Sequence, residues 1–167
     1  MRLLPLTAIL LAGLIAACAP TTRTAAPAAS ATPVTSDAEA PPAAEVRITR
    51  DGDLWTADYV LERDAPVWAF IRSSLTHTTR EPWRVRQWQV TTPGVVLERV
   101  GTLDILRATD GGNVPRHISL RLTPTAEDLE ADYATLMFTD GSVALYSGAF
   151  DVFPLPSVEA ARTGFLA

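Results

Sequence analysis

Lysine is absent from the 167-residue sequence, and cysteine and histidine are scarce. All 14 basic side chains are arginines, and the formal net charge of −5 argues against the basic surface that nucleic-acid binding requires. The single cysteine, Cys18, has no partner for an internal disulfide. Only His77 and His117 are present, without HExxH or another paired-ligand spacing. We therefore expect no nucleic-acid partner, no metal and no cofactor.

The longest apolar run lies at the N-terminus and is too short for a permanent membrane anchor. It extends from Leu3 to Ala17, about fifteen residues, whereas a transmembrane helix needs roughly twenty. A short basic start, an apolar stretch and small residues before a cleavage point are typical of a secretory signal peptide. We predict that residues 1–17 form this signal.

The segment Ile15-Ala16-Ala17-Cys18 resembles the lipobox of bacterial lipoproteins. The resemblance implies that the Cys18 thiol takes a diacylglycerol, that the signal is cleaved before it, and that the new N-terminus is acylated, for example with palmitate. Several acyl chains, at about 0.8 kcal/mol per buried methylene, anchor a protein stably to membrane lipid. Ala19 follows the cysteine, which by resemblance to proteobacterial sorting implies the inner leaflet of the outer membrane, facing the periplasm. The alternative is an ordinary signal peptide that happens to contain a cysteine.

A linker and one domain follow the signal. Residues 18–44 are almost entirely Ala, Pro, Thr and Ser after the cysteine, and such a composition lacks the apolar bulk to repay the entropy of ordering. We predict a disordered tether that spans roughly 30 Å as a coil. Residues 45–167, about 120 in number, are enough for one self-supporting domain.

From residue 45 onwards, short runs of alternating polar and apolar residues are separated by turn residues. Residues 45–50, 54–61 and 116–122 alternate with a period of two, and Asp51-Gly52-Asp53 is a hairpin-type turn. Residues 66–71 are apolar on both faces, which predicts a strand covered on both sides. Further strands are predicted at 83–85 and 88–90, with a bulge near 86–87, and at 95–99, 103–108, 133–139, 142–147 and 149–153.

About nine short strands without βαβ spacing predict an all-β fold, an antiparallel β-sandwich or barrel-like domain. Helix is expected at only two places. At residues 125–131, Thr125 can cap a helical turn, with Asp128 three residues on. Residues 158–162 predict a short helix near the C-terminus.

The sequence contains no catalytic motif. Ser73, Ser74 and His77 share a loop, but no G-x-S-x-G elbow occurs, and ordinary surface residues are the simpler interpretation. An enzyme of an unrecognised hydrolase type remains the competing class. Weak calcium binding by loop carboxylates is a further alternative, although none has the EF-hand spacing. The candidate calcium ligands are Asp51 with Asp53, Asp110 with Asn113, and Glu127, Asp128, Glu130 and Asp132.

The segment "REPWRVRQW", residues 80–88, interleaves arginine with tryptophan. On a strand, Trp83, Arg84, Arg86 and Trp88 would form a ligand-binding strip for a glycan or an acidic lipid headgroup. The alternative is that the two tryptophans are core residues and the arginines are exposed, with their stems over apolar surface.

A second resemblance concerns the domain. The segment from Asp110-Gly111-Gly112 through Pro124 to Asp140-Gly141-Ser142, Gly148 and Phe150 resembles the N-terminal β-domain of glycyl-aminopeptidase-like metallopeptidases. It covers most of residues 45–155 but depends on turns and strand alternation. Because HExxH is missing, no catalytic residue can be carried across, and the resemblance implies an accessory or truncated domain. From these features together we predict a lipid-anchored, non-catalytic binding or structural module of the cell envelope, with an envelope protein or a glycan as its partner.

Overall fold

The computed structural model describes residues 43–130 and 133–164, which fold into two four-stranded sheets, one two-stranded hairpin and two short helices. Cys18, the predicted signal and nearly all of the predicted linker lie outside these residues. Sheet 1 has the strand order β1-β2-β7-β4, sheet 2 has the order β10-β3-β6-β5, and β8 pairs with β9. The elements are β1 (Ala44–Asp51), β2 (Leu54–Leu61), β3 (Val67–Phe70), α1 (Trp83–Gln87), β4 (Trp88–Val90), β5 (Val95–Val100), β6 (Leu103–Ala108), β7 (His117–Leu122), β8 (Thr135–Met137), β9 (Val143–Leu145), β10 (Val152–Leu155) and α2 (Val158–Thr163).

All strand pairs are antiparallel, which confirms the predicted all-β fold. The sheets formed by the described residues are open and sandwich-like rather than closed into a barrel. No helix in this part of the chain is both long and apolar enough to span a membrane.

The core lies between the facing surfaces of the two sheets. Alternation along β7 places Ile118, Leu120 and Leu122 on its inner face, as the sequence predicts. From sheet 2, Trp68 and Phe70 enter the same layer, and both are fully buried. The sheets therefore share one apolar layer, as in a β-sandwich.

Strand β3 is buried on both faces, because α2 covers the back of sheet 2. Val67 and Ala69 pack there with Ala161 of α2 in a second, smaller apolar cluster. The doubly covered strand predicted at residues 66–71 is confirmed for residues 67–70, whereas Ile71 at the end of the run is exposed. The helix predicted at 158–162 is also confirmed.

Two glycine turns allow a matched test of backbone strain. Gly52, in the predicted β1–β2 turn, has φ 61°, and Gly101, between β5 and β6, has φ 58°. A Cβ on Gly101 would lie 2.9 Å from the carbonyl oxygen of Arg162 in α2, whereas a Cβ on Gly52 would have no neighbour within 4 Å.

We expect Gly101→Ala to lower the free energy of unfolding by about 2–3 kcal/mol and Gly52→Ala by about 1 kcal/mol. Both substitutions place an alanine in the strained left-handed region, but only the alanine at position 101 must also displace α2. Urea denaturation of the two variants measures the difference. Equal losses would mean that α2 moves away from the β5–β6 turn without cost.

The strand predicted at residues 83–85 is wrong: these residues belong to helix α1. Alternation on a strand would place Trp83 and Arg84 on opposite faces, whereas the helix turns both towards the core. Pro82, with φ −75°, precedes the first turn, where its missing N–H costs nothing. The break in alternation before Trp88, predicted as a bulge, is a change from helix to strand.

The helical turn predicted at residues 125–131 is also wrong over its described part. Leu129 forms a β-bridge with Thr76, and the His77 amide donates to the Asp128 carbonyl oxygen at 2.8 Å. These long-range bonds supply backbone partners that a short helix would have to provide itself, and isolated short helices are marginal in water.

The last three strands are shorter or later than predicted. Strands β8 and β9 each span three residues, and a 3₁₀ turn at Ser147–Ala149 precedes β10. β10 contains Pro154, which is tolerated because β10 is an edge strand of sheet 2.

Candidate functional site

The four side chains predicted to bind a ligand do not form an accessible strip. Trp83, Arg84 and Trp88 are buried, with exposed fractions of 2%, 1% and 5%. Only Arg86 is exposed, and its guanidinium pairs with the carboxylate of Glu81. The tryptophans are core residues, as the alternative interpretation held. The expectation that the arginines are all exposed is wrong for Arg84, because α1 turns this side chain inwards.

Arg84 is buried because several elements supply partners for its guanidinium. Its Nη1 donates to Asp104 Oδ2 and, at 3.2 Å, to the Arg72 carbonyl oxygen, and its Nη2 donates to the Ala149 carbonyl oxygen at 3.0 Å. The guanidinium carbon also lies 4.2 Å from the Phe70 ring centroid. Burial lowers the pKa of Arg84, and the charge of Asp104 opposes this shift only in part.

Asp104 is the centre of a buried polar cluster that consists of Ser74, Arg84, Arg99 and Asp104. Ser74 Oγ donates to Asp104 Oδ2 at 2.5 Å, and Arg99 Nη1 donates to Oδ1 at 2.9 Å. Ser74, Arg84 and Asp104 are at most 1% exposed, so a substrate in solution does not reach them. The polar cluster therefore joins α1 to β5 and β6 and is structural.

Both histidines lie at the surface of the domain. His77 and His117 are exposed, and in this part of the chain neither ring bonds a serine or a carboxylate. The Ser74 hydroxyl donates to a buried carboxylate instead. Within residues 43–130 and 133–164, no group of three or more potential ligands is placed to hold a metal ion. Asp110, a calcium candidate, accepts the Gly112 amide at 2.9 Å in its own turn.

Large apolar side chains are exposed on and beside the β8–β9 hairpin. Tyr133 is 64% exposed and Met137 is 56% exposed. A shallow pocket of about 280 Å³ lies beside Tyr133 and Leu136. Several large apolar side chains exposed together on one short hairpin make it a candidate binding surface. We call it the hairpin surface; it consists of Tyr133, Leu136, Met137, Phe138 and Tyr146.

Local contacts fix the shape of the hairpin. Asp140 Oδ1 accepts hydrogen bonds from the amide and hydroxyl of Ser142 at 2.9 and 2.7 Å, and these bonds lower the pKa of Asp140. At the other end, the Tyr146 ring lies over Gly148, where a Cβ would come within 2.8 Å of the ring. Only glycine therefore allows this position of the Tyr146 ring.

A groove beside β1 is the second open apolar feature. Two adjoining spaces, of about 420 and 300 Å³, share Val46, Phe150 and Asp151 in their walls. At its floor the Tyr59 hydroxyl donates to the Phe150 carbonyl oxygen at 3.0 Å, and burial raises the pKa of Tyr59, so the phenol stays neutral. We call this the edge groove; it is lined mainly by Ala44, Val46, Ile48, Trp55, Val143, Leu145, Phe150, Asp151 and Val152.

Neither surface was predicted from the sequence, because its residues were assigned to strands without a prediction of which apolar faces stay uncovered. The run Tyr133-Ala134-Thr135-Leu136-Met137-Phe138 contains four large apolar residues and leads directly into Asp140-Gly141. Four large apolar residues within six positions, just before a turn, are more than one face of a short strand can bury. This excess is the signal that could have marked the hairpin.

Comparison of the chain with protein-family models, with curated proteins and with solved structures finds no match. The two surfaces are therefore interpreted from their own geometry.

Proposed function

We propose that the protein is a lipid-anchored, non-catalytic binding module of the cell envelope. Cys18 would carry the lipid at the periplasmic face of the outer membrane, and residues 18–44 would tether the domain. The observation that carries the binding role is the hairpin surface, whose aromatic and aliphatic side chains face solvent. An envelope protein is the partner this surface fits, because aromatic residues and methionine are enriched at the centres of protein interfaces.

Three members of the polar cluster, Ser74, Arg84 and Asp104, are at most 1% exposed, and within the described residues the exposed histidines bond no carboxylate. The hairpin surface offers shape and apolar contact area instead, which are the properties of a docking site.

Lipid anchoring is tested with the full chain and its Cys18→Ser variant in a bacterial host that has an outer membrane. We expect mass spectrometry to find a diacylglycerol thioether on Cys18 as the first residue, and the variant to move from the membrane to the soluble fraction. An unmodified thiol, or a variant that remains with the membrane as well as the wild type, would remove the anchor from the proposal.

Partner binding is tested separately with a photo-reactive benzophenone side chain at Phe138 and, as a matched control, at Leu54. Leu54 is also an exposed apolar residue but lies at the β1–β2 turn, outside the hairpin surface. We expect a discrete envelope-protein adduct from position 138 only, and we expect Met137→Ser to weaken it. The same adducts from both positions, or adducts to lipid alone, would contradict the binding role.

A further inference from the structure

Strand β1 has an open edge. The Glu62 amide donates to the Ala43 carbonyl oxygen at 3.0 Å, and this pair continues the β1–β2 register. Hydrogen-bonded and non-hydrogen-bonded pairs alternate in an antiparallel ladder. Glu45 and Arg47 therefore bond β2, whereas the N–H and C=O groups of Val46 point to the opposite side. The N–H and C=O groups of Ala44, Ile48 and Arg50 also point away from β2.

No strand of the described residues pairs with this side of β1, which is the end strand of sheet 1. β1 is also the longest edge strand, at eight residues, and it contains no proline. The other edges are shorter: β10 has four residues including Pro154, β4 has three and β5 has six. Natural proteins usually shorten or block an exposed edge because it pairs readily with other chains. The long edge of β1 is therefore available for pairing with another strand.

The edge groove lies where the side chains of an added strand would project. Val46 and Ile48 face it from β1, and Phe150 faces it from the other wall. Glu45 and Arg47 lie on the outer, exposed face of the same strand. Because side chains alternate along a strand, an added strand would place every second side chain in the groove and the others in solvent.

The charge of the groove restricts the occupant further. Asp151 is exposed in its wall and forms no ion pair with the residues described at 43–130 and 133–164. A fatty acid could fill the apolar walls but would leave the β1 backbone groups unpaired. A polypeptide satisfies the backbone groups, and a lysine or arginine in it would complement Asp151.

We propose that β1 binds an extended segment of another polypeptide as a fifth strand of sheet 1. The segment has apolar residues at alternate positions and a basic residue near Asp151. Strand addition of this kind takes its affinity from the backbone and its specificity from pockets for alternate side chains. The inference goes beyond the proposed function: it concerns a different surface from the hairpin and does not depend on the lipid.

The test uses the full chain carrying Cys18→Ser and eight-residue peptides with Val at alternate positions and Thr between them. In a series of such peptides, each residue of the peptide is replaced in turn by Lys or, in a matched series, by Glu. We expect amide hydrogen exchange at Val46 and Ile48 to slow by about tenfold or more when the best Lys peptide is bound. Exchange at Glu45 and Arg47, already protected by β2, should change little. Peptides whose alternate amides are N-methylated should give no protection.

Two variants separate the backbone from the charge. Val46→Pro removes one outward N–H at an edge position where proline is tolerated, and we expect it to abolish peptide binding. Because Val46 also packs against the core, the matched control is Val46→Ala, which loses the same packing but keeps the N–H and should still bind the peptide. Asp151→Asn should keep the exchange pattern but lose a preference of about threefold for the Lys over the Glu peptide.

Three outcomes would overturn the inference. One is that no Lys peptide protects Val46 and Ile48. The second is that decanoate fills the groove and displaces the peptide, which would indicate an acyl-chain site. The third is that these amides are protected in the free protein in a concentration-dependent manner, which would indicate β1 pairing between two copies. A failure of the hairpin cross-link leaves these measurements unaffected, so the two proposals fail separately.

Discussion

Replacement of Asp104 with Asn is expected to lower the free energy of unfolding by about 3–5 kcal/mol, because it leaves a buried guanidinium without its counter-charge. Arg84 and Asp104 are each 1% exposed, so water cannot replace the lost interaction. Asn keeps the size of the side chain but removes its charge, and Arg99 then adds repulsion to Arg84 in place of shared attraction to Asp104. Urea denaturation with intrinsic tryptophan fluorescence measures the loss.

Arg84→Met provides the matched control, since it removes the other member of the pair. Asp104 would still accept hydrogen bonds from Ser74 and Arg99, so we expect a smaller loss, about 1–3 kcal/mol. The double variant Arg84→Met and Asp104→Asn should lose less than the sum of the two single changes, because the guanidinium that Asp104→Asn leaves buried without its counter-charge is then absent. A loss below about 1 kcal/mol for Asp104→Asn alone would show that water enters the cluster.

The periodic part of the fold is what sequence reasoning predicted well. Alternation located β2 and β7, and Gly52 with its neighbours located the first hairpin turn. These features are local: a period of two and a turn residue with positive φ need no information from the rest of the chain.

The errors arose where distant contacts decide the local structure. Residues 83–85 form a helix whose Arg84 bonds Asp104, twenty residues further on. Asp128 and Leu129 are bridged to the loop at Thr76 and His77 instead of forming a helix. Neither partner is visible in a local window, and a buried arginine runs against the general rule that charged side chains are exposed.

The candidate surfaces were unpredictable for a related reason. Alternation shows that Val46 and Ile48 face inwards, but not that the opposite wall of the sandwich stays apart from them. Likewise, the apolar residues of β8 resemble core residues until the hairpin is seen to lack a covering layer. Which apolar face remains uncovered depends on the arrangement of the whole sheet, and only the three-dimensional structure supplies it.

Trp88→Ala is expected to have the second large effect, a loss of about 3–5 kcal/mol in the free energy of unfolding. The indole stacks on Phe150 at a centroid distance of 5.0 Å and meets the edges or faces of Phe70 and Trp83 at 5.7 and 5.8 Å. Alanine would leave a cavity at the centre of this aromatic cluster, where sheet 1 and sheet 2 meet. Differential scanning calorimetry and urea denaturation both measure the loss.

Trp88→Phe distinguishes packing from polar function at the same site. The indole Nε1 is buried and has no hydrogen-bond partner among the described residues, so phenylalanine removes an unpaired donor while it keeps most of the ring contacts. We expect a cost of less than about 1.5 kcal/mol. If Trp88 instead stacked on a glycan, Trp88→Ala would leave stability near that of the wild type and abolish binding of the sugar. A large stability loss with Ala and a small one with Phe is therefore the pattern of a core residue, and it would leave the hairpin surface and the edge groove as the places to look for a partner.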